Sequence, residues 1–177
     1  MIIALSKSYG LLVNSFYELE PLYAEYWNRE STPKAFCVGP LCIARQQKMG
    51  PVLHQECRWI KWLDQKLAQK KPVLYIAFGS QAEISSTQLR EIAHGLEESK
   101  GFLSHCGWNL LLESISAEVP ILTWPIMVKQ PLNTKMAVEE IKIGLRVETV
   151  NGTSNKFVPA ESLKNKVKEL LEGKETR

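Results

Sequence analysis

The chain has 177 residues, enough for one ordinary domain or for two small ones with thin cores. Twenty-two Lys and Arg against 19 Asp and Glu leave a formal charge of +3, unclustered and too small to mark a nucleic-acid or anionic-membrane binder. With 45% apolar and 23% charged residues the composition is globular, which excludes disordered and collagen-like chains.

From the N-terminus, MIIALSKSYGLLVNSF has its lysine inside a weakly apolar stretch and no cleavage-type tail, so it does not read as a signal peptide. Gly10 to Ser15 is a short buried-strand candidate. Phe16 to Trp27 carries aromatics and leucines on a helix broken by Pro21. Pro33, Pro40 and Pro51, with the polar run Arg45 to Gly50, read as an irregular linker. Trp59, Ile60, Trp62, Leu63 and Leu67 recur at helical spacing and predict a helix over 58–69.

Val73 to Phe78 is a continuous apolar run bounded by Pro72 and Gly79. It suits a strand covered on both faces and is far short of a membrane span. Ser85 with Gln88 is a capping-box pair, and Leu89, Ile92, Ala93 and Leu96 then share a helical face. Gly101 to Ser104 resumes as strand, so this is a βαβ unit with parallel pairing. Asn109–Ser116 is the next helix and Val119–Trp124 the next strand. A helix over Leu132–Lys142 stopped by Gly144 follows, and then a strand over Leu145–Val150 ending in the Asn151-Gly152 turn. Pro159–Glu172 is a final helix with Leu163, Val167, Leu170 and Leu171 inward, closed by Gly173. The region from Val73 onward reads as a doubly wound α/β domain.

In such sheets ligands sit where strands end and helices begin. Two strand ends carry chemistry here. Phe78-Gly79-Ser80 permits close backbone approach and offers a hydroxyl. Ser104-His105-Cys106-Gly107-Trp108-Asn109 turns straight into a helix, whose opening amides and dipole suit a diphosphate. Spacing alone leaves His105 equally a ligand to that anion or a core histidine. Glu113 lies one turn after Asn109 and could accept a ribose diol, although a carboxylate that early in a helix also simply complements the dipole.

Other residues have plainer readings. The cysteines at 37, 42, 57 and 106 show no CxxC pair and no finger-like His spacing, which argues against zinc. Their small number suits a reduced, cytoplasmic protein, while spacing leaves disulfides open. Cys106 reads as a small buried apolar residue, pointed away from His105 by the strand. Trp59, Trp62 and Trp124 read as packing, His54 and His94 as structural or solvated, and Lys164, Lys166 and Lys168 as a wet helix face. Asn151-Gly152-Thr153 fits a glycosylation sequon but is taken as a turn.

GFLSHCGWNLLLESISAEVPILTWPIMVKQ, residues 101–130, closely resembles the latter two-thirds of the signature box of plant UDP-dependent family 1 glycosyltransferases. VLYIAFGSQAEISSTQLREIAHGLEES resembles the opening of their donor domain. VNSFYELEPLYAEYW and CVGPLC resemble the end of their acceptor domain and the interdomain linker. The resemblance implies an α/β, Rossmann-like donor-binding half of a two-domain GT-B enzyme with an internal deletion. Residues 1–50 would then be a remnant of the acceptor-domain end and linker, and 51–177 an incomplete donor domain. It implies transfer of a hexose, expected to be glucose, from a UDP-sugar to a hydroxyl of a small lipophilic acceptor with inversion. No metal or other cofactor is expected.

The same resemblance assigns roles. Ser80, His105, Asn109 and the Leu110 backbone would hold the diphosphate, and Trp108 would shape that loop. Glu113 would bind the ribose and Gln130 the sugar hydroxyls. It also implies losses. The general base and most of the acceptor domain have no counterpart, so no catalytic residue is assigned and the chain alone is expected to be inactive. At Ser99-Lys100-Gly101 a strand, a helix and the start of the box are skipped, including a uracil-stacking tryptophan. Losing such stacking costs about 1–3 kcal/mol. Leu110 stands where the family has Ser, Glu118 where it has Gly, and Lys129 where it has an acid. Two alternatives remain: a non-catalytic UDP-binding or interaction module, able to pair with a full-length relative, or a faulty gene model.

Overall fold

The computed structural model describes residues 5, 7–46, 57–71, 73–80, 82–96, 101–127, 129–150 and 157–172. The chain divides into two compact units, Met1–Pro51 and Val52–Arg177.

In the first unit, β1 (Leu11–Val13) pairs in parallel with β2 (Ala35–Cys37). Between them runs α1 (Pro21–Glu30), and α2 (Leu41–Gln46) follows. Pro21 opens α1 rather than breaking it, because the first helical residue has no amide partner to lose. β2 and α2 fall in the stretch expected to be irregular. What fixes β2 is tertiary: Asn28 accepts from the Ala35 amide at 2.7 Å and donates to the Ala35 carbonyl at 3.1 Å. Residues 47–50 and Pro51 of the expected linker lie outside the described residues.

The second unit begins with α3 (Arg58–Ala68). Only Ile60 of this helix is buried, and Trp59 and Trp62 are 62% and 48% exposed, which corrects their reading as packing residues. Helical spacing identifies a face without saying what covers it. His54 lies outside the described residues, and His94 is exposed.

A four-stranded parallel sheet follows, in the order β3 (Leu74–Ala77), β4 (Gly101–Ser104), β5 (Ile121–Thr123) and β6 (Gly144–Arg146). Its register sets Tyr75 beside Phe102, and Leu103 beside Leu122. β5 is buried throughout. β3, expected to be covered on both faces, is an edge strand whose Tyr75 and Ile76 reach solvent. Gly144 begins β6 instead of stopping a helix. The preceding helix ends in a π-helical stretch, Met136–Glu140, closed by the Ile141 amide on the Met136 carbonyl at 2.8 Å.

Helix α4 (Ser86–Gly95) keeps half of its expected capping box. Ser85 accepts from the Gln88 amide at 3.1 Å, but the Gln88 carboxamide is engaged elsewhere, donating to and accepting from Val158 at 2.8 Å each. Its inward residues are Gln88, Ile92 and Gly95, so Leu89 and Ala93 point outward, a rotation from the expected face. α5 (Trp108–Ser116) follows β4, α6 (Gln130–Lys135) follows β5, and α7 (Ala160–Glu172) buries Leu163, Val167 and Leu170 as expected. The Leu171 side chain, Gly173 and the Asn151-Gly152 turn lie outside the described residues.

Helices cover both faces of the sheet. Ile92 and Leu96 at α4, and Leu163, Val167 and Leu170 of α7, pack with Leu103 and Leu122 on one face. Leu111 of α5, with Met136 and Ala137 after α6, packs with Phe102 and Ile121 on the other. The strand order runs one way across the sheet. A topological consequence follows. β4–α5–β5 and β5–α6–β6 cross on one face, whereas β3–α4–β4 advances in the same direction over the opposite face and has the opposite hand. Since parallel crossovers are right-handed in about 98% of cases, the β3–α4–β4 unit is the reversed one.

Candidate functional site at the carboxyl ends of β3 and β4

β4 ends at Ser104, and the chain turns into α5 through a loop held on three sides. The His105 amide donates to the Ala77 carbonyl at the end of β3, 2.9 Å away, and the Trp124 amide to the Ser104 carbonyl at 2.8 Å. Asn133 of α6 donates to the Cys106 carbonyl at 2.9 Å. Cys106 itself adopts a left-handed φ of 61°, with its amide on the Ser104 hydroxyl at 3.0 Å. That conformation costs about 1–2 kcal/mol in a residue with a Cβ. It is sustained by the full burial of Cys106 between the sheet and α5, as its small apolar character predicts. Burial pushes the thiol above its ordinary range, partly offset by the Thr134 hydroxyl.

This loop positions the His105 ring. Nδ1 lies 3.0 Å from the Ala77 carbonyl, which can only accept, so Nδ1 carries a proton and Nε2 is left for other work. Two glycines flank Nε2. A Cβ on Gly79, whose φ is +79°, would lie 2.9 Å from it, and one on Gly107 2.7 Å from it. Any side chain in either place would displace the ring, so bare backbone is what keeps this nitrogen in position. Ser80, exposed, directly follows Gly79.

Gly107 caps α5 without a side-chain bond, and the first ladder bond is Leu111 N–H to the Gly107 carbonyl at 3.0 Å. The amides of Trp108, Asn109 and Leu110 therefore precede the ladder, at the positive end of the helix. Asn109 and Glu113 are both exposed, one turn apart. Trp108 and Leu110 are half-buried against the Phe102–Leu111 cluster, so of Leu110 only the backbone is available at the site. Gln130 opens α6, three residues before Asn133, which bonds the Cys106 carbonyl. The Gln130 carboxamide oxygen accepts from the Ile126 and Met127 amides, each at 2.7 Å, which leaves only its Nε2 donors for a ligand.

The structure thus brings His105, Gly79, Gly107 and the α5 amides together, with Ser80 next to Gly79. Ala77 and Asn133, which orient the loop, escaped sequence reasoning: one acts through its carbonyl and the other belongs to no motif. A cavity of about 950 Å³ lies at the other end of the sheet, lined by Ile115, Val119, Ile143 and Leu170 among others, away from these loops. Among the described residues no group of three or more His, Cys, Asp or Glu is placed to hold a metal ion, and no helix is long and apolar enough to cross a membrane.

Over residues 93–176 the chain matches the family described as UDP-glucoronosyl and UDP-glucosyl transferase. It is 45% identical to UDP-glycosyltransferase 90A1 of Arabidopsis thaliana, a match covering 95% of this chain and 44% of that protein. Among solved structures it is similar to Glycyrrhiza uralensis UGT73P12 complexed with glycyrrhetinic acid 3-O-monoglucuronide, with 29% identity, a TM-score of 0.76, and coverage of 97% of this chain and 46% of that one. It is also similar to Phytolacca americana UGT2 complexed with UDP-2fluoro-glucose and pterostilbene, with 27% identity, a TM-score of 0.75, and coverage of 99% and 48%. The chain spans about half the length of the relatives it matches.

Proposed function

From the family match over residues 93–176 and the likeness to plant UDP-glycosyltransferases, we propose that this chain belongs to the plant UDP-dependent glycosyltransferases of GT-B fold and that residues 51–177 are a donor-binding region for a UDP-sugar. The observation that carries the reading is the His105 ring, fixed through Nδ1 on Ala77 with Nε2 between two glycines at the head of α5. The diphosphate lies across the opening amides of α5, including that of Leu110, with Nε2 of His105 and the hydroxyl of Ser80 completing its shell and Asn109 beside it. Trp108 shapes the loop. Glu113 accepts from the ribose hydroxyls, and Gln130 donates to the sugar through Nε2. The helix dipole and His105 stabilise the charge on departing UDP, so the reading asks for no metal.

In the complete reaction a deprotonated hydroxyl of a small lipophilic acceptor attacks the anomeric carbon in line, the bond to UDP breaks, and configuration inverts. The hexose is proposed to be glucose. No residue of this chain is assigned as the base that takes the acceptor proton, so the 177-residue chain alone is inactive in this reading. Calorimetric titration with UDP and UDP-glucose tests the donor site, and a micromolar dissociation constant is expected. Glucoside formed by the purified chain from UDP-glucose and a flavonol would refute the inactivity.

One observation favours a second reading, a non-catalytic module that holds UDP but not the sugar. Lys129 is exposed beside Gln130 and cannot accept from a sugar hydroxyl, and the Gln130 oxygen is already engaged. In that case UDP and UDP-glucose bind with equal affinity.

A further inference from the structure

The two edges of the main sheet differ. β6 ends in the exposed, charged Arg146, whereas β3, Leu74-Tyr75-Ile76-Ala77, holds no charge and no proline. Tyr75 is 58% and Ile76 38% exposed, on opposite faces of the strand. An edge without such guards is a template for another strand. Topology points to the same place. A right-handed crossover leaving β3 over the face that α4 covers delivers its next strand to the outer side of β3, not to the position of β4. The match to the Arabidopsis relative also runs over 215 positions, more than the 177 residues of this chain, so that relative contains internal residues that this chain skips.

We propose that the outer edge of β3 is a self-association surface, on which a second copy of this chain lays its own β3 antiparallel across a two-fold axis. Charge selects this arrangement. Exposed Lys70 and Lys71 precede the strand and exposed Glu83 follows it, so antiparallel pairing turns each copy's lysines toward the other's glutamate, while parallel pairing brings like charges together. A two-fold contact is self-complementary, and each copy buries Tyr75 and Ile76 against the other's. The proposal does not depend on nucleotide binding.

Sedimentation equilibrium of the full chain over a wide concentration range tests it, with hydrogen exchange as a second readout. Expected are a monomer–dimer equilibrium and slower exchange of the β3 amides as concentration rises. Tyr75→Lys sets two positive charges near the axis and should raise the dimer dissociation constant by about tenfold or more, whereas Tyr75→Thr, neutral and suited to a strand, still dimerises. If Tyr75→Lys fails to fold by circular dichroism, exchange in the unaltered chain decides. A chain monomeric throughout, a dimer indifferent to Tyr75→Lys, exchange protection confined to another element, or pairing only with a full-length relative would each overturn the proposal.

Discussion

The Nδ1 atom of His105 sits 3.0 Å from the carbonyl oxygen of Ala77. Because that oxygen has no proton to give, Nδ1 donates to it and fixes the ring with Nε2 between the two glycines. His105→Ala removes Nε2 from the proposed diphosphate seat. Loss of a hydrogen bond to a charged group, about 1.5–3 kcal/mol, should weaken UDP binding roughly ten- to hundredfold in calorimetric titration. Unchanged affinity in the variant would count against the site.

Gly107 makes a separate test of the same ring. Its φ of −65° suits any residue, so Gly107→Ala introduces no backbone strain. The added Cβ would nonetheless sit 2.7 Å from His105 Nε2, and the ring must move. UDP affinity should fall by about the same factor as in His105→Ala, while the melting temperature changes by only a few degrees, as for a cap substitution of about 0.5–1 kcal/mol. Unchanged affinity would mean that Nε2 does not face the ligand.

Much of the fold is legible in the amino-acid sequence. The runs VLYIAF, GFLS and VPILT are apolar and β-rich, and each became a parallel strand, because continuous apolar runs have few other ways to be buried. HCGWN marked the head of α5, since a glycine ahead of a helical run suits the N-cap position, which Gly107 takes. What the sequence hid were relations between distant residues. β2 depends on Asn28, the inward face of α4 depends on Gln88 reaching Val158, and the exposed tryptophans of α3 depend on what does not cover them. The reversed crossover was equally invisible, because local patterning sets strands and helices but not the side on which a chain returns.

Glu118 occupies the position after the α5 cap at a φ of 54°. Its amide bonds to the Ile115 carbonyl and that of Val119 to Ser114, each at 3.1 Å, which is the paired closure that favours glycine in this place. Glu118→Gly should relieve the left-handed strain and stabilise the fold by about 1 kcal/mol, read as a higher urea midpoint with an unchanged slope. A lower midpoint would show that the Glu118 side chain contributes more than its backbone costs.

Gln88 is 5% exposed and joins α4 to the segment before α7 through both hydrogen bonds to Val158. Gln88→Ala strands a buried amide and a buried carbonyl, so a loss of about 2–4 kcal/mol is expected. Gln88→Glu keeps the acceptor for the Val158 amide but sets a carboxylate against its carbonyl, and should cost as much at neutral pH while recovering on acidification. Chemical denaturation across pH checks both, and a loss below the error of the method would show that water reaches this pair.

Cys106 ties the loop to pH through a different group. Burial holds its thiol above the ordinary 9.0, so the folded state keeps the proton that the unfolded state releases first. A raised folded value means that this contribution is complete below pH 9.0 and is lost as pH rises through the folded value. Cys106→Ala removes the titrating group but leaves a small cavity, so the variant should be less stable near neutrality and the gap should narrow in alkali. Native-state alkylation offers a direct check. Cys37, Cys42 and Cys57 are partly exposed and should react near neutral pH, while Cys106, wholly buried, should react only on unfolding. Early labelling at Cys106 would mean that the turn from β4 into α5 opens in solution, and the seat of the His105 ring with it.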